Sequence, residues 1–146
     1  MKKKSIVVSI CIMMCAMMLP SFVTSAEELE EQTIYLTDAE MEEILEEEIS
    51  NLVNARLTAY VLNWTVPANT CYGTSYFRKA AGTSVMVDVD TSKTCKVGIL
   101  DDDGVLRYVA GTSVTHTFSI TKTNDYKVVV QNDNSSSATA KGYYYR

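Results

Sequence analysis

Two hydrophobic rhythms divide the chain. Between residues 37 and 55, Met41, Ile44, Leu45, Ile49, Leu52 and Val53 recur at helical spacing and draw one apolar stripe through an otherwise acidic segment. Thr37 followed three residues on by Glu40 forms a capping box, in which each side chain satisfies a backbone donor of the other residue. The pattern predicts an amphipathic acidic helix that starts there and runs to about Ala55. From Leu57 the period changes to two. Val85, Val87 and Val89, then Val114, His116, Phe118 and Ile120, then Tyr126, Val128 and Val130 alternate with other residues, so each set points to one face of a strand. Turn signals arrive roughly every eight to twelve residues, the rhythm of a sandwich or barrel. Strands are expected near 57–66, 72–79, 84–90, 95–101, 105–109, 114–121, 125–131 and 138–145.

The turns between them have recognisable chemistry. Asp101, Asp102, Asp103 and Gly104 separate two apolar runs, and an Asp-Gly pair in that position is a hairpin signal. Asn132, Asp133 and Asn134 with three serines make the last turn. Eight short strands in about ninety residues bury one core, so residues 56–146 read as a single domain with the helix as its appendage or lid.

The opening residues follow neither rhythm. Lys2, Lys3 and Lys4 precede an apolar run over 6–19, then Pro20 and the small-residue stretch Val23, Thr24, Ser25, Ala26, which is the order of a secretory signal peptide. The run falls short of the roughly 20 apolar residues of a spanning helix. Residues 1–26 are therefore expected to be cleaved, leaving a secreted, extracellular product with no stable membrane insertion.

Charge separates what remains. Residues 27–55 carry eleven carboxylates and no Lys or Arg, whereas residues 56–146 carry ten Lys and Arg against seven Asp. Glu42 with Glu46 and Glu43 with Glu47 are like charges one helical turn apart, each costing about 0.2–0.5 kcal/mol. Such a helix is marginal alone and needs its stripe covered by the chain's own sheet or by a partner protein; otherwise the segment is a mobile spacer or pro-segment. The acidic balance and the lack of a basic stripe point away from nucleic acid.

Beyond residue 26 two cysteines remain, Cys71 and Cys95. In an oxidising compartment they are expected to pair as a structural disulfide, worth about 3–4 kcal/mol in the chain-entropy description.

Candidate chemistry is sparse. His116 shares a strand face with Val114, Phe118 and Ile120, where a hydrogen-bonded histidine in the core or at its edge is expected rather than a catalytic one. No serine stands in a nucleophile-elbow context. Asp88 and Asp90 share a strand face and would need a suitable carboxylate separation to act as a glycosidase pair. Asp101, Asp102 and Asp103 offer hard oxygen ligands on a turn that calcium would suit; solvated turn acids are the competing reading. Tyr143, Tyr144 and Tyr145 cannot all face a core, since Tyr144 points opposite to its neighbours, so the ends of this strand offer candidate ligand-contacting rings.

Asn63, Trp64, Thr65, Val66, Pro67 and Ala68, then Phe77, the turn at Ala81, Gly82 and Thr83, Asp103 and Gly104 with Arg107, Tyr108 and Val109, then His116, Thr117 and Phe118, the run 126–132, and Gly142, Tyr143 and Tyr144 resemble small secreted proteins of Gram-positive bacteria. Their end portion is similar to the pre-peptidase carboxy-terminal (PPC-like) β-sandwich. The resemblance covers about the last eighty residues. It implies an eight-stranded antiparallel jelly-roll-like β-sandwich with a non-catalytic role, some relatives binding matrix or carbohydrate, in cases with calcium. The chain departs from it in lacking an attached enzyme domain and in carrying the acidic segment.

Together these features predict a secreted, non-enzymatic β-sandwich module whose partner is an extracellular glycan, a cell-wall component or a protein. Two alternatives stand beside it. One is a secreted effector or antagonistic peptide masked by its acidic segment; the other is a small secreted hydrolase.

Overall fold

The computed structural model of the protein describes residues 29–47, 50–54 and 57–146. Val85, Val87 and Val89 open the longest strand, β7 (Ser84–Asp101), which turns through Asp102, Asp103 and Gly104 into β8 (Val105–Ser119). Gly104 holds a φ of 85°, and a Cβ there would stand 2.7 Å from the Leu36 carbonyl oxygen. Only glycine satisfies both conditions without strain.

Midway along this hairpin the register breaks: Asp90 faces Ser113, whereas Cys95 faces Gly111. The extra residues on β7 make a bulge, which bends the ribbon. Before the bend β7 pairs with β10 (Ala138–Tyr145), which leads to β4 (Leu57–Val66) and β3 (Ser50–Asn54). After the bend β7 pairs with β9 (Asn124–Asn132), which pairs in turn with β5 (Thr70–Gly73) and β6 (Phe77–Lys79). β2 (Leu45–Glu46) lies parallel to β5, and β1 (Gln32–Tyr35) lies antiparallel to β8. Hydrogen bonding is continuous from β2 to β3, so the chain forms one open, mixed, ten-stranded sheet.

Both halves bury residues in a single cluster. Val85, Val87, Val89, Leu62, Trp64 and Tyr144 come from one half, and Val97, Ile99, Val128, Val130 and Phe77 from the other. Rings meet across it: Trp64 of β4 stands edge-on to Tyr72 of β5 at 6.2 Å, and Tyr144 of β10 stacks on Phe77 of β6 at 5.9 Å. The sheet is thus folded on itself at the bulge, with apolar burial on the inside of the fold as the stabilising term.

The N-terminal segment covers the outer face of the second half. A second cluster of Leu100, Leu106, Tyr108, Val129 and Ile44 has Ile34, Leu36, Met41 and Cys71 packed against it. Ile44 seats over Gly73, where a Cβ would come within 2.9 Å of Ile44 Cγ2. This cover explains why β9 is buried on both faces.

Three expectations are corrected. The capping box forms, with Thr37 N–H donating to Glu40 Oε2 at 2.8 Å and Glu40 N–H to Thr37 Oγ1 at 3.4 Å, but the helix it starts, α1, spans only Asp38–Glu42. The chain then enters β2 and β3 instead of continuing helical to residue 55. The run of Glu without Lys disfavours further turns, while pairing on β5 lets Ile44 be buried and leaves Leu45 and Glu46 in solvent. The described parts of the acidic stretch, residues 29–47 and 50–54, are therefore woven into the sheet of the residues that follow rather than appended as a helix. Second, the eight expected strands become ten: 72–79 divides into β5 and β6, the pairs 84–90 with 95–101 and 105–109 with 114–121 each fuse, and the acidic segment adds three. The parallel β2–β5 pair departs from an all-antiparallel arrangement. The segment 1–26 expected to be a signal peptide lies outside the described residues, as do residues 48–49 and 55–56; among the described residues no helix is long and apolar enough to cross a membrane.

Third, Cys71 and Cys95 are free thiols rather than a disulfide. Cys71 in β5 faces Gln131 in β9, and the same Gln131 faces Lys96, the residue after Cys95, on its other side. β9 thus lies between the two cysteine-bearing strands. Two strand spacings are about 9–10 Å, beyond the roughly 7 Å that a disulfide spans between Cα atoms. The side chains also face opposite sides of the sheet, Cys95 in the main core and Cys71 against the second cluster.

Candidate functional site

The alternation of β10 decides which of its tyrosines meets solvent. Tyr144 points into the core and is fully buried, while Tyr143 is 39% exposed on the opposite face and Tyr145 is half-buried. Tyr60, directly opposite Tyr144 on β4, stacks on it with ring centroids 4.8 Å apart. Tyr144 therefore lies between Tyr60 and Phe77. Its hydroxyl makes no well-formed hydrogen bond among the described residues, and burial pushes its phenol up to about 12, the Thr74 hydroxyl beside it giving only a weak lowering effect.

Arg146, just past β10, closes over this stack. Its guanidinium carbon lies 4.3 Å from the Tyr60 ring centroid and 4.8 Å from that of Phe77. The quadrupoles of both rings attract the cation and fix it at the mouth of the stack. Thr58, Tyr60, Tyr76, Phe77, Arg78, Lys79 and Arg146 line an open cleft of about 770 Å³ there. On the other flank of Arg146, a cleft of about 390 Å³ is lined by Ser84, Met86, Asp88 and Tyr145. One end of the folded sheet thus combines rings and cations around Arg146.

The charges of the larger cleft are unevenly paired. Arg78 Nη1 lies 3.4 Å from Asp125 Oδ1. Arg146 and Lys79 have no ion-pair partner among the described residues. Tyr76 is 40% exposed and has the Lys127 ammonium 4.3 Å from its ring centroid. Its phenol is pushed up by burial and then by Asp102, Asp101 and Glu46, so one side of Tyr76 faces carboxylates.

Among the other candidates, His116, Asp88, Asp101 and Asp103 have settled partners. His116 stands at the core edge, where its strand position places it, with Nε2 2.8 Å from Glu31 Oε2 and its ring edge-on to Phe118 at 4.6 Å. Arg107 donates through Nε to Glu31 Oε1 at 2.6 Å and through Nη1 to the Ser119 carbonyl at 2.6 Å. Asp88 Oδ1 accepts from the Thr115 hydroxyl at 2.8 Å. Asp101 Oδ1 accepts from the backbone N–H groups of Asp103 and Val105 at 3.1 and 2.8 Å, which makes it the cap of its own turn. Asp103 Oδ2 takes Lys122 and the Asn124 amide. Asp101, Asp102 and Asp103 do not converge, and no group of three metal-ligating side chains forms among the described residues.

Of the predicted aromatic residues, the structure brings Tyr145 to the smaller cleft and puts Tyr144 beneath the larger one; Tyr143 stays on the outer sheet face. Tyr60, Tyr76, Arg78, Lys79 and Arg146 were missed. A signal exists for all of these but Tyr60: Tyr76, Phe77, Arg78 and Lys79, and again Tyr144, Tyr145 and Arg146, are runs in which rings pass directly into cations. Compared with known proteins, no family model matches the chain and no curated protein matches it.

Proposed function

We propose that this chain is a secreted, non-enzymatic binding module with a jelly-roll-like β-sandwich architecture, and that it engages an extracellular glycan, cell-wall component or protein through the cleft around Arg146. The observation that carries this reading is the union of the exposed Tyr76 ring with the cations Lys79 and Arg146 at one end of the folded sheet, Arg146 being seated on the stacked Tyr60 and Phe77. Exposed aromatic side chains supply stacking area, and a few placed polar groups fix orientation, which is the composition of a ligand site. The resemblance of the last eighty residues to PPC-like sandwiches supports the same role by analogy. Export rests on the opening segment of the sequence.

The non-enzymatic reading rests on how the candidate groups are used. His116 is engaged by Glu31, Asp101 by turn amides and Asp103 by Lys122. The masked-effector alternative is weakened because Ile44 of the acidic segment belongs to a buried cluster and Ile34, Leu36 and Met41, partly buried, pack against it. The test is a panel of polysaccharides, peptidoglycan and matrix proteins titrated into isotope-labelled protein. A binder that shifts the amides of Lys79 and Arg146 supports the module; silence across the panel, or shifts confined elsewhere, counts against it.

A further inference from the structure

Resting on the binding-module reading, we infer that the ligand is an acidic polysaccharide, bound with an oxyanion substituent on Arg146 and Lys79 and a sugar ring against Tyr76. Arg146 is held by the faces of Tyr60 and Phe77 at 4.3 and 4.8 Å, so its guanidinium is placed before any ligand arrives. Among the described residues it has no carboxylate partner, and neither does Lys79, which lines the same cleft. A positioned guanidinium with unused donors, in a cleft that an ammonium also lines, is a receptor for carboxylate, sulfate or phosphate, since its planar fork matches those groups and little side-chain freedom is lost on binding.

The surroundings narrow the ligand further. Asp125 neutralises Arg78, and Lys127, whose ammonium lies over one face of Tyr76, is paired with Glu46 at 3.6 Å, so the unpaired positive charge of the cleft sits on Arg146 and Lys79. An anion there meets two cations, while the rest of the ligand lies over Tyr76 and the Thr58 hydroxyl. So small a positive patch does not track a nucleic-acid backbone, which takes a basic stripe. A cleft of about 770 Å³ is of small-molecule size, whereas a standard protein interface needs about 800 Å² from each partner. A spaced, ring-borne charge fits both limits: one repeat unit of a polymer occupies the cleft and the remainder runs into solvent.

The measurement is affinity of the intact chain for four immobilised polymers: a polyuronate, a sulfated polysaccharide, a polymer of glycerol phosphate units bearing sugars, and a neutral polysaccharide. At least one acidic polymer is expected to bind about tenfold or more tightly than the neutral one and to weaken as salt is raised past physiological strength. Whichever acidic polymer leads identifies the oxyanion as carboxylate, sulfate or phosphate. Lys79→Gln and Arg146→Gln are each expected to weaken that binding about tenfold. Since Arg146 stacks on core rings, its urea midpoint is measured alongside, and Lys79→Gln provides the variant free of that stacking. Acidic polymers binding no better than the neutral one, or binding that ignores Lys79→Gln, overturns the inference. Neutral binding lost in Tyr76→Ala keeps the module and removes the acidic ligand; no binding to any polymer removes both.

Discussion

Glu31 and Arg107, seventy-six residues apart in sequence, meet with Arg107 Nε 2.6 Å from Glu31 Oε1, and the second oxygen of the same carboxylate stands 2.8 Å from His116 Nε2. Glu31 just precedes β1, so this contact fastens the N-terminal segment to the edge formed by β8, and Leu29 packs on the core beside it. Both side chains are about a quarter exposed (26% and 23%), so the pair contributes less than a buried one. A double-mutant cycle of Glu31→Gln and Arg107→Gln should return a coupling of about 1 kcal/mol in urea unfolding. A coupling indistinguishable from zero would mean that apolar packing alone holds the segment.

Cys71 and Cys95 should both remain thiols after oxidative refolding, because β9 stands between their strands. Burial pushes the Cys71 thiol up to about 12 and raises that of Cys95 also, so little reactive thiolate forms at neutral pH. Iodoacetamide applied to native protein should leave both peptides unmodified, and both should be alkylated in denaturant without reductant. A disulfide-linked peptide joining the two cysteines would falsify this strand order.

Removing the orphaned hydroxyl of Tyr144 should help. The neighbouring Thr74 hydroxyl already donates to the Ser75 carbonyl at 3.0 Å and accepts the Val128 N–H at 3.1 Å. A buried hydroxyl left without a partner costs about 1–3 kcal/mol, so Tyr144→Phe, which keeps the ring between Tyr60 and Phe77, should raise unfolding stability by about 1 kcal/mol. A loss of similar size would show that the hydroxyl has a partner, such as a buried water.

These predictions depend on features with unequal traces in the sequence. The alternation of Val85, Val87 and Val89, the turn at Gly104, the opposed Tyr144 and the capping box at Thr37 were legible because each is local: a side chain's face or a turn's backbone is set within a few residues. The fate of Ile44 was not. Its burial over Gly73 depends on a strand nearly thirty residues away, and that contact outweighs the helical period of the acidic segment. The disulfide expectation failed for the same reason, since compartment and cysteine count say nothing about which strand inserts between two others. The cleft is assembled from β4, β6 and the residues beside them, so its rings and cations were visible only as two separate short runs.

Acid should destabilise the protein below the ordinary carboxylate range. Burial tends to raise Asp133, but hydrogen bonds from Lys96 and Gln131 more than offset it and hold the carboxyl below its usual 3.8. Hydrogen bonds from Thr37 lower Glu40, and Lys122 with Asn124 lowers Asp103. A group depressed in the folded state contributes stability above its unfolded pKa and loses it as pH falls through the folded value. The urea midpoint should therefore hold from neutral pH to about pH 4.5 and fall toward about pH 3, with a shallower fall in Asp133→Asn. Lys122 is raised by the Asp103 hydrogen bond, so its contribution is complete below 10.5 and disappears only as pH rises through its folded value. An Asp133→Asn variant with the parent's acid slope would remove Asp133 from this account.

Gly98 and Gly82 test the folded hairpin from opposite directions. A Cβ on Gly98 would stand 2.1 Å from the Arg107 carbonyl oxygen and 2.8 Å from Tyr108 Cα, both backbone atoms of the paired strand, which cannot move aside as a side-chain tip could. Gly82 has open space around its Cβ position and is constrained only by its φ of 84°. Gly82→Ala should therefore cost about 1–2 kcal/mol, the penalty of a left-handed residue. Gly98→Ala must separate β7 from β8 just where β9 joins them, so its cost should exceed the usual 1–3 kcal/mol of overpacking. If the two variants unfold at the same urea concentration, β7 and β8 do not approach as closely at Gly98 as this register requires, and the bend that brings the two halves of the sheet together must be built differently.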